Sequence, residues 1–169
     1  MQSFSVVIPT LDRPQELLRT LDSIAQQNLL PSEIIIVDQS KSDYSATEIA
    51  QHNLFKKENL QLNYILDPSI CGLVEAKSVG VNRCTTEIVC FLEDDVVLHS
   101  NYLGALLRGF DDNPRAVGVG GIVANPQQAN RLITRVSRIF QKGPFHDPRI
   151  DIFCGNNLPS YIPSAYLSG

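Results

Sequence analysis

The chain lacks the usual zinc patterns and any stretch long enough to span a membrane. Its four cysteines, Cys71, Cys84, Cys90 and Cys154, show no C-x-x-C spacing and no paired histidines, which removes the common zinc-site patterns. No apolar stretch approaches the roughly 20 residues of a membrane span. The N-terminus has neither the basic nor the apolar segment of a secretory signal. Basic excess is lacking too. Fourteen Lys and Arg stand against 18 Asp and Glu, a net charge of −4, which is the wrong sign for a nucleic-acid footprint. A reduced, cytoplasmic setting is the default expectation. What is present suits a folded domain, since 169 residues with 43% hydrophobic content can bury a real core.

Strand-like and helix-like segments alternate. Residues 4–8 are an apolar, β-branched run ending in Pro9-Thr10. Asp12 is placed to cap the next helix, and Pro14 suits a first turn. Leu17, Leu18, Leu21, Ile24 and Ala25 recur at helical spacing, with Pro31 as a stop. Ile34, Ile35, Ile36 and Val37 form a second apolar run, and Ala46, Ile49, Ala50 and Leu54 a second helical stripe. The pattern predicts a third strand over 60–66, a short helix over 73–83 and a fourth strand from 88. Tyr102, Leu103, Leu106, Leu107 and Phe110 mark another helix. Residues 116–123 read as a fifth strand, with glycines at 118, 120 and 121. Continuous apolar runs between helices mean strands covered on both faces. The expected fold class is therefore α/β, with a mostly parallel central sheet flanked by helices.

After residue 123 the texture changes. Pro126, Pro144, Pro148, Pro159 and Pro163 fall there, and only 130–142 looks regular. In that segment Leu132, Ile133, Val136, Ile139 and Phe140 form an apolar stripe, while Arg131, Arg135, Arg138 and Lys142 project elsewhere. Such a helix either packs on a core with a solvated basic face or rests on an anionic membrane or a phosphorylated ligand. The expected division is an α/β domain over 1–123 and an incomplete region over 124–169.

The chemistry gathers at strand ends. The fourth apolar run stops in three adjacent carboxylates, Glu93, Asp94 and Asp95. Folding does not call for them, and oxygen ligands suit a hard cation such as Mg²⁺ or Mn²⁺. On extended backbone Glu93 and Asp95 would share a face; the competing reading is a solvated acidic turn. Asp38 closes the second run, where it would accept hydrogen bonds from a nucleobase imide or a ribose hydroxyl, or else cap the turn over 40–43. As a site carboxylate, it is expected to weaken nucleotide binding when replaced by alanine while leaving the fold intact. Gly72 opens the helix bearing Lys77, so backbone N–H groups and a cation would face a phosphate there. Open parallel sheets bind ligands along this carboxyl edge.

Four segments, in this order and spacing, resemble glycosyltransferase family 2. They are Ser-Val-Val-Ile-Pro-Thr-Leu-Asp-Arg-Pro at 5–14, Glu-Ile-Ile-Ile-Val-Asp at 33–38, Cys-Gly-Leu-Val-Glu-Ala-Lys at 71–77 and Phe-Leu-Glu-Asp-Asp at 91–95. The resemblance implies a GT-A fold that binds a nucleotide-diphospho-sugar, UDP-, GDP- or dTDP-linked, with Mn²⁺ or Mg²⁺ at an acidic motif. It implies that Pro9, Thr10 and Asp38 contact the nucleoside and that Lys77, where the family often has Arg, lies near the diphosphate. Asp94 would lie near ribose or sugar, and Asp95 would bind the metal. Glu93 stands for the usual first Asp, one methylene longer, and Ser78 for a common Asn.

The implied reaction is glycosyl transfer with inversion to a saccharide, lipid or protein acceptor. No general base is identifiable; His146 and Asp147 read as a solvated loop pair. Family members typically continue past a segment like Tyr-Leu-Ser-Gly at 166–169 into an acceptor region carrying the catalytic carboxylate. The chain is therefore expected to be the donor-binding half, to bind donor without transferring sugar, and to form a homodimer through apolar surface near 161–169. The alternative is a non-catalytic nucleotide-sugar-binding module. A nucleotidyltransferase or a dinucleotide dehydrogenase needs a Gly-rich loop after the first strand. Residues 9–13 contain no Gly.

Overall fold

The computed structural model describes residues 3–57 and 59–121. Its elements are β1 (Phe4–Thr10), α1 (Pro14–Ala25), β2 (Glu33–Asp38), α2 (Tyr44–Gln51), a 3-10 turn (Asn53–Lys56), β3 (Gln61–Leu66), α3 (Leu73–Val81), β4 (Ile88–Phe91) and α4 (Tyr102–Asp112). Residues up to Leu107 form one compact unit, and a second begins at Arg108. Among the described residues no helix is long and apolar enough to cross a membrane.

Within the first unit the four strands make a single parallel sheet in the order β3-β2-β1-β4. Every residue of β1 and β2 is buried, as the unbroken apolar runs require of central strands with helices on both faces. Alternation sorts their side chains. Phe4, Val6, Ile8, Ile34 and Ile36 meet Leu17, Leu21 and Ile24 of α1, Ile49 of α2, Leu54, and Leu103 and Leu107 of α4. Val7, Ile35 and Val37 meet Ile70 and Ala76 on the other side. There α3 lies close against the sheet because Gly80 has no side chain. A Cβ at that position would stand 2.4 Å from Val7 Cγ1. Cys90 packs beside the first cluster, and burial pushes its thiol up to about 12, consistent with an inert core position.

Two local expectations fail. Asp12 does not cap α1. Arg13 precedes the helix, and no side chain caps it; Asp12 itself takes a positive φ of 53°, which Asp tolerates better than most residues. The strand expected over 116–123 is not formed in its described part, residues 116–121. Glycines at 118, 120 and 121 weaken a strand, and the segment pairs with no described strand. Val117 is instead 73% exposed, and Val119 packs where a Cβ on Gly109 of α4 would stand 2.7 Å away. The basic stripe of 130–142, the region 124–169 and the apolar surface near 161–169 lie outside the described residues.

At the amino edge of the sheet Glu33 ties three segments together. Its Oε1 accepts from Ser5 Oγ at 2.5 Å, Thr85 N at 2.6 Å and Thr85 Oγ1 at 3.0 Å. Burial raises its pKa, but the hydrogen bonds from Ser5 and Thr85 together outweigh it, leaving the carboxyl below its ordinary value. A depressed pKa stabilises the folded state above the unfolded-state value and loses that contribution as pH falls through the folded one. Glu33→Gln should therefore lose about 1–3 kcal/mol near neutral pH and show a flatter stability profile below about pH 4.5 than the unsubstituted chain. Urea melts across that window check it; parallel profiles would show that Glu33 titrates alike in both states.

Candidate functional site at the carboxyl edge

The strand order reverses at β1. From there β2 and β3 step to one side and β4 to the other, so the carboxyl ends of β1 and β4 flank a topological switch point, where open α/β sheets take ligands. Thr10, the last residue of β1, donates from Oγ1 to Asp94 Oδ2 at 2.8 Å. Asp94 is only 7% exposed, and its turn is anchored from α1, where the Thr20 hydroxyl lies 2.8 Å from the carbonyl of Asp94 and 2.9 Å from that of Val96. Arg13 Nη1 stands 3.4 Å from Asp94 Oδ1 and also 3.4 Å from Asp95 Oδ2. The solvated acidic turn is thus excluded for Asp94, which is built into the fold. Asp95 remains half exposed.

Glu93 turns to another partner. Its Oε1 accepts from Lys77 Nζ of α3 at 2.9 Å, and the same ammonium lies 5.7 Å from the centre of the Phe91 ring. The expectation that Glu93 and Asp95 share a face required extended backbone. β4 ends at Phe91, and 94–95 form a turn, so the two-residue period stops before the carboxylates begin. Glu93 pairs with Lys77, whereas Asp94 and Asp95 share Arg13. No group of three or more His, Cys, Asp or Glu converges as a protein-only cation cage among the described residues. Mg²⁺ seldom uses one, being held through one or two carboxylates together with substrate phosphates and water. The half-exposed oxygens of Asp95 suit that arrangement, so the residues present fit a hard divalent cation shared with a diphosphate.

Asp38 ends β2 level with Thr10 and is fully buried. Its Oδ1 accepts from Ser40 N at 2.8 Å, and its Oδ2 accepts from the Tyr64 hydroxyl of β3. The turn-capping role is therefore realised. Burial, then the hydrogen bond and charge of Asp38, push the Tyr64 phenol far above its ordinary value. Ser40 Oγ in turn accepts from Asp12 N at 2.8 Å. Pro9 lies within β1 opposite Val37, its side chain buried. At the start of α3, Gly72 adopts φ 96°, yet its N–H is already taken by Gln39 Oε1 at 2.9 Å, and the Cys71 N–H by Glu75 Oε2 at 2.9 Å. Those two amides are not free for a phosphate.

Sequence reasoning gave no role to Arg13, Thr20, Gln39 or Tyr64. Arg13 carried a signal, a cation directly after a strand end facing an acidic strand end. Tyr64 and Thr20 carried none, because their contacts depend on strand register and on the side of the sheet α1 takes.

Comparison with known proteins gives the family and the fold. The family model described as Glycosyl transferase family 2 matches residues 5–165. The hyaluronan synthase of Streptococcus pyogenes is 28% identical over 138 residues, covering 80% of this chain and 33% of its own length. A GalNAc(5)-diNAcBac-PP-undecaprenol beta-1,3-glucosyltransferase of Campylobacter jejuni is 32% identical over 109 residues, 64% of this chain and 34% of its own. The chain thus spans about a third of the length of the curated relatives it matches. Among solved structures, S. aureus TarS 1-349 in complex with UDP-GlcNAc aligns with a TM-score of 0.54 at 22% identity, over 67% of this chain and 32% of that one. That likeness shows a common GT-A fold. With the family match running through the strand-end acids and across nearly all 169 residues, the chain belongs to glycosyl transferase family 2.

Proposed function

We propose that this chain binds a nucleotide-diphospho-sugar at the carboxyl edge of β1, β2 and β4 and serves inverting, divalent-cation-dependent glycosyl transfer. One observation carries the reading. At the switch point the Thr10–Asp94 hydrogen bond fixes a buried acid, and the half-exposed Asp95 stands next to it. The named activities of the relatives, a hyaluronan synthase and a glucosyltransferase, support the class of reaction.

In such a transfer the acceptor hydroxyl oxygen bonds to the anomeric carbon from the face opposite the diphosphate. The carbon–oxygen bond to the diphosphate breaks, its electron pair leaves on the phosphate oxygen, and the hydroxyl proton passes to a base. The described residues supply the donor side. Pro9, Thr10 and Asp38 would form the nucleoside end, with Tyr64 and Ser40 orienting Asp38. Lys77 would stand near the diphosphate, and Asp94, held by Thr10, near ribose or sugar. Asp95 would hold the cation, with Glu93 adding negative charge nearby. When bound, the ion offsets the charge developing on the leaving diphosphate. A cytoplasmic setting, a membrane contact through 130–142 and a homodimer belong to the same proposal.

Calorimetric titration of UDP-, GDP- and dTDP-sugars in Mn²⁺ should find one nucleotide class bound, and a transfer assay with that donor then separates an enzyme from a donor-binding module. No heat from any of the three in Mn²⁺ or Mg²⁺ would sink the reading. Binding without transfer would leave a donor-binding module.

A further inference from the structure

We propose that Arg13 couples cation binding at Asp95 to the arrival of the donor diphosphate, so that the cation and the nucleotide bind together far better than the cation alone. This rests on the donor-site reading above. A single guanidinium nitrogen is shared by two carboxylates, at 3.4 Å from each. The two acids are not equivalent. Asp94 is buried and held by Thr10, whereas the Asp95 side chain is 55% exposed and has room to change partner. Arg13 itself is fixed at its backbone, where its carbonyl accepts from Leu17 N at 3.1 Å and Pro14 sets the first turn of α1. The Arg13 side chain is 55% exposed, and the contact with buried Asp94 is what keeps the guanidinium beside Asp95.

A divalent cation arriving alone must compete with Arg13 for Asp95 and then sit beside a like charge, which is unfavourable even in a solvated setting. A diphosphate changes both terms. Its oxygens supply further ligands to the cation, and its negative charge gives the planar guanidinium a second anionic partner suited to its fork geometry. Arg13 thus penalises the cation by itself and not the cation with the donor. The plainer account is an exposed ion pair of no consequence to binding, and direct cation titration separates the two.

The experiment is Mn²⁺ binding to the full chain by electron paramagnetic resonance, with and without UDP, GDP or dTDP, for the unsubstituted protein, Arg13→Gln and Arg13→Lys. Gln keeps an N–H donor for Asp94 and removes the charge. Without nucleotide, Arg13→Gln should bind Mn²⁺ roughly three- to fivefold more tightly, the range an exposed ion pair supports. With the nucleotide that binds present, that gain should vanish, so the synergy between Mn²⁺ and that nucleotide falls by the same factor. Arg13→Lys should restore the original behaviour. Equal or weaker Mn²⁺ binding by Arg13→Gln without nucleotide overturns the coupling. Failure of the unsubstituted chain to bind Mn²⁺ with UDP, GDP or dTDP overturns the donor-site reading instead. Should Arg13→Gln not fold, Arg13→Met provides the same uncharged test.

Discussion

Replacing Asp38 by alanine should destabilise the protein by about 2–6 kcal/mol and, on the proposed role, weaken nucleotide binding. Its fully buried carboxylate accepts from the Ser40 amide and the Tyr64 hydroxyl. Deleting it strands two donors, each at a cost of about 1–3 kcal/mol. This departs from the expectation drawn from the sequence, that a strand-end acid contributes little to the fold. The substitution also removes the anion that, after burial, holds the Tyr64 phenol up. Ultraviolet titration should therefore find that phenol ionising at lower pH in Asp38→Ala than in the unsubstituted chain. Denaturant melts showing unchanged stability would mean that Ser40 and Tyr64 find other partners, and Asp38 would return to a purely ligand-facing role.

The second large effect is expected at Asp95, with the opposite balance. Asp95→Ala should leave stability within about 0.5 kcal/mol, as for most surface substitutions, because the side chain is half exposed and its one ion pair is weak. Donor affinity should then lose its dependence on Mn²⁺. Removing groups that merely support a metal ligand costs about 10- to 100-fold in metal affinity, so losing the ligand itself should cost at least that much. Asp94→Ala makes the useful contrast. That acid is buried and bonded to Thr10, so its loss should lower the melting temperature as well as donor affinity. Equal donor affinity of the unsubstituted chain in EDTA and in Mn²⁺ would refute the metal role outright.

Much of this arrangement could be read from the residues. Runs such as Ile34 to Val37 announce central strands because burial on both faces permits no polar alternation. The stripe of Leu17, Leu21 and Ile24 likewise announces the α1 face that now lies on the sheet. Parallel pairing then forces strand ends onto one edge, which is how Thr10 and Asp38, distant in sequence, come to lie level. The failures share a different cause. Whether residues 116–121 form a strand depends on a partner, which propensity does not supply. The divergence of Glu93, Asp94 and Asp95 depends on where β4 stops, and Phe91 gives no local signal for that. The pairing of Tyr64 with Asp38 arises from the β2–β3 register. Each of these is tertiary information.

The strand order also dictates when the carboxyl-edge site can come into being. Thr10 and Asp94 are 84 residues apart along the chain, while β1, β2 and β3 lie in sequence order and complete one side of the sheet first. A nascent chain that has emerged only through Leu66 can hold three paired strands, with Asp38 already against Tyr64. It has no acid beside Thr10. That half arrives only when the chain doubles back and inserts β4 against the free edge of β1. Because the entropy of closing so long a loop grows only with the logarithm of its length, the detour adds little thermodynamic burden. It does mean that Thr10 and Asp94 cannot meet before β4 has joined the sheet. A half-made chain would hold Thr10 and Asp38 level at the carboxyl edge with no acid opposite Thr10.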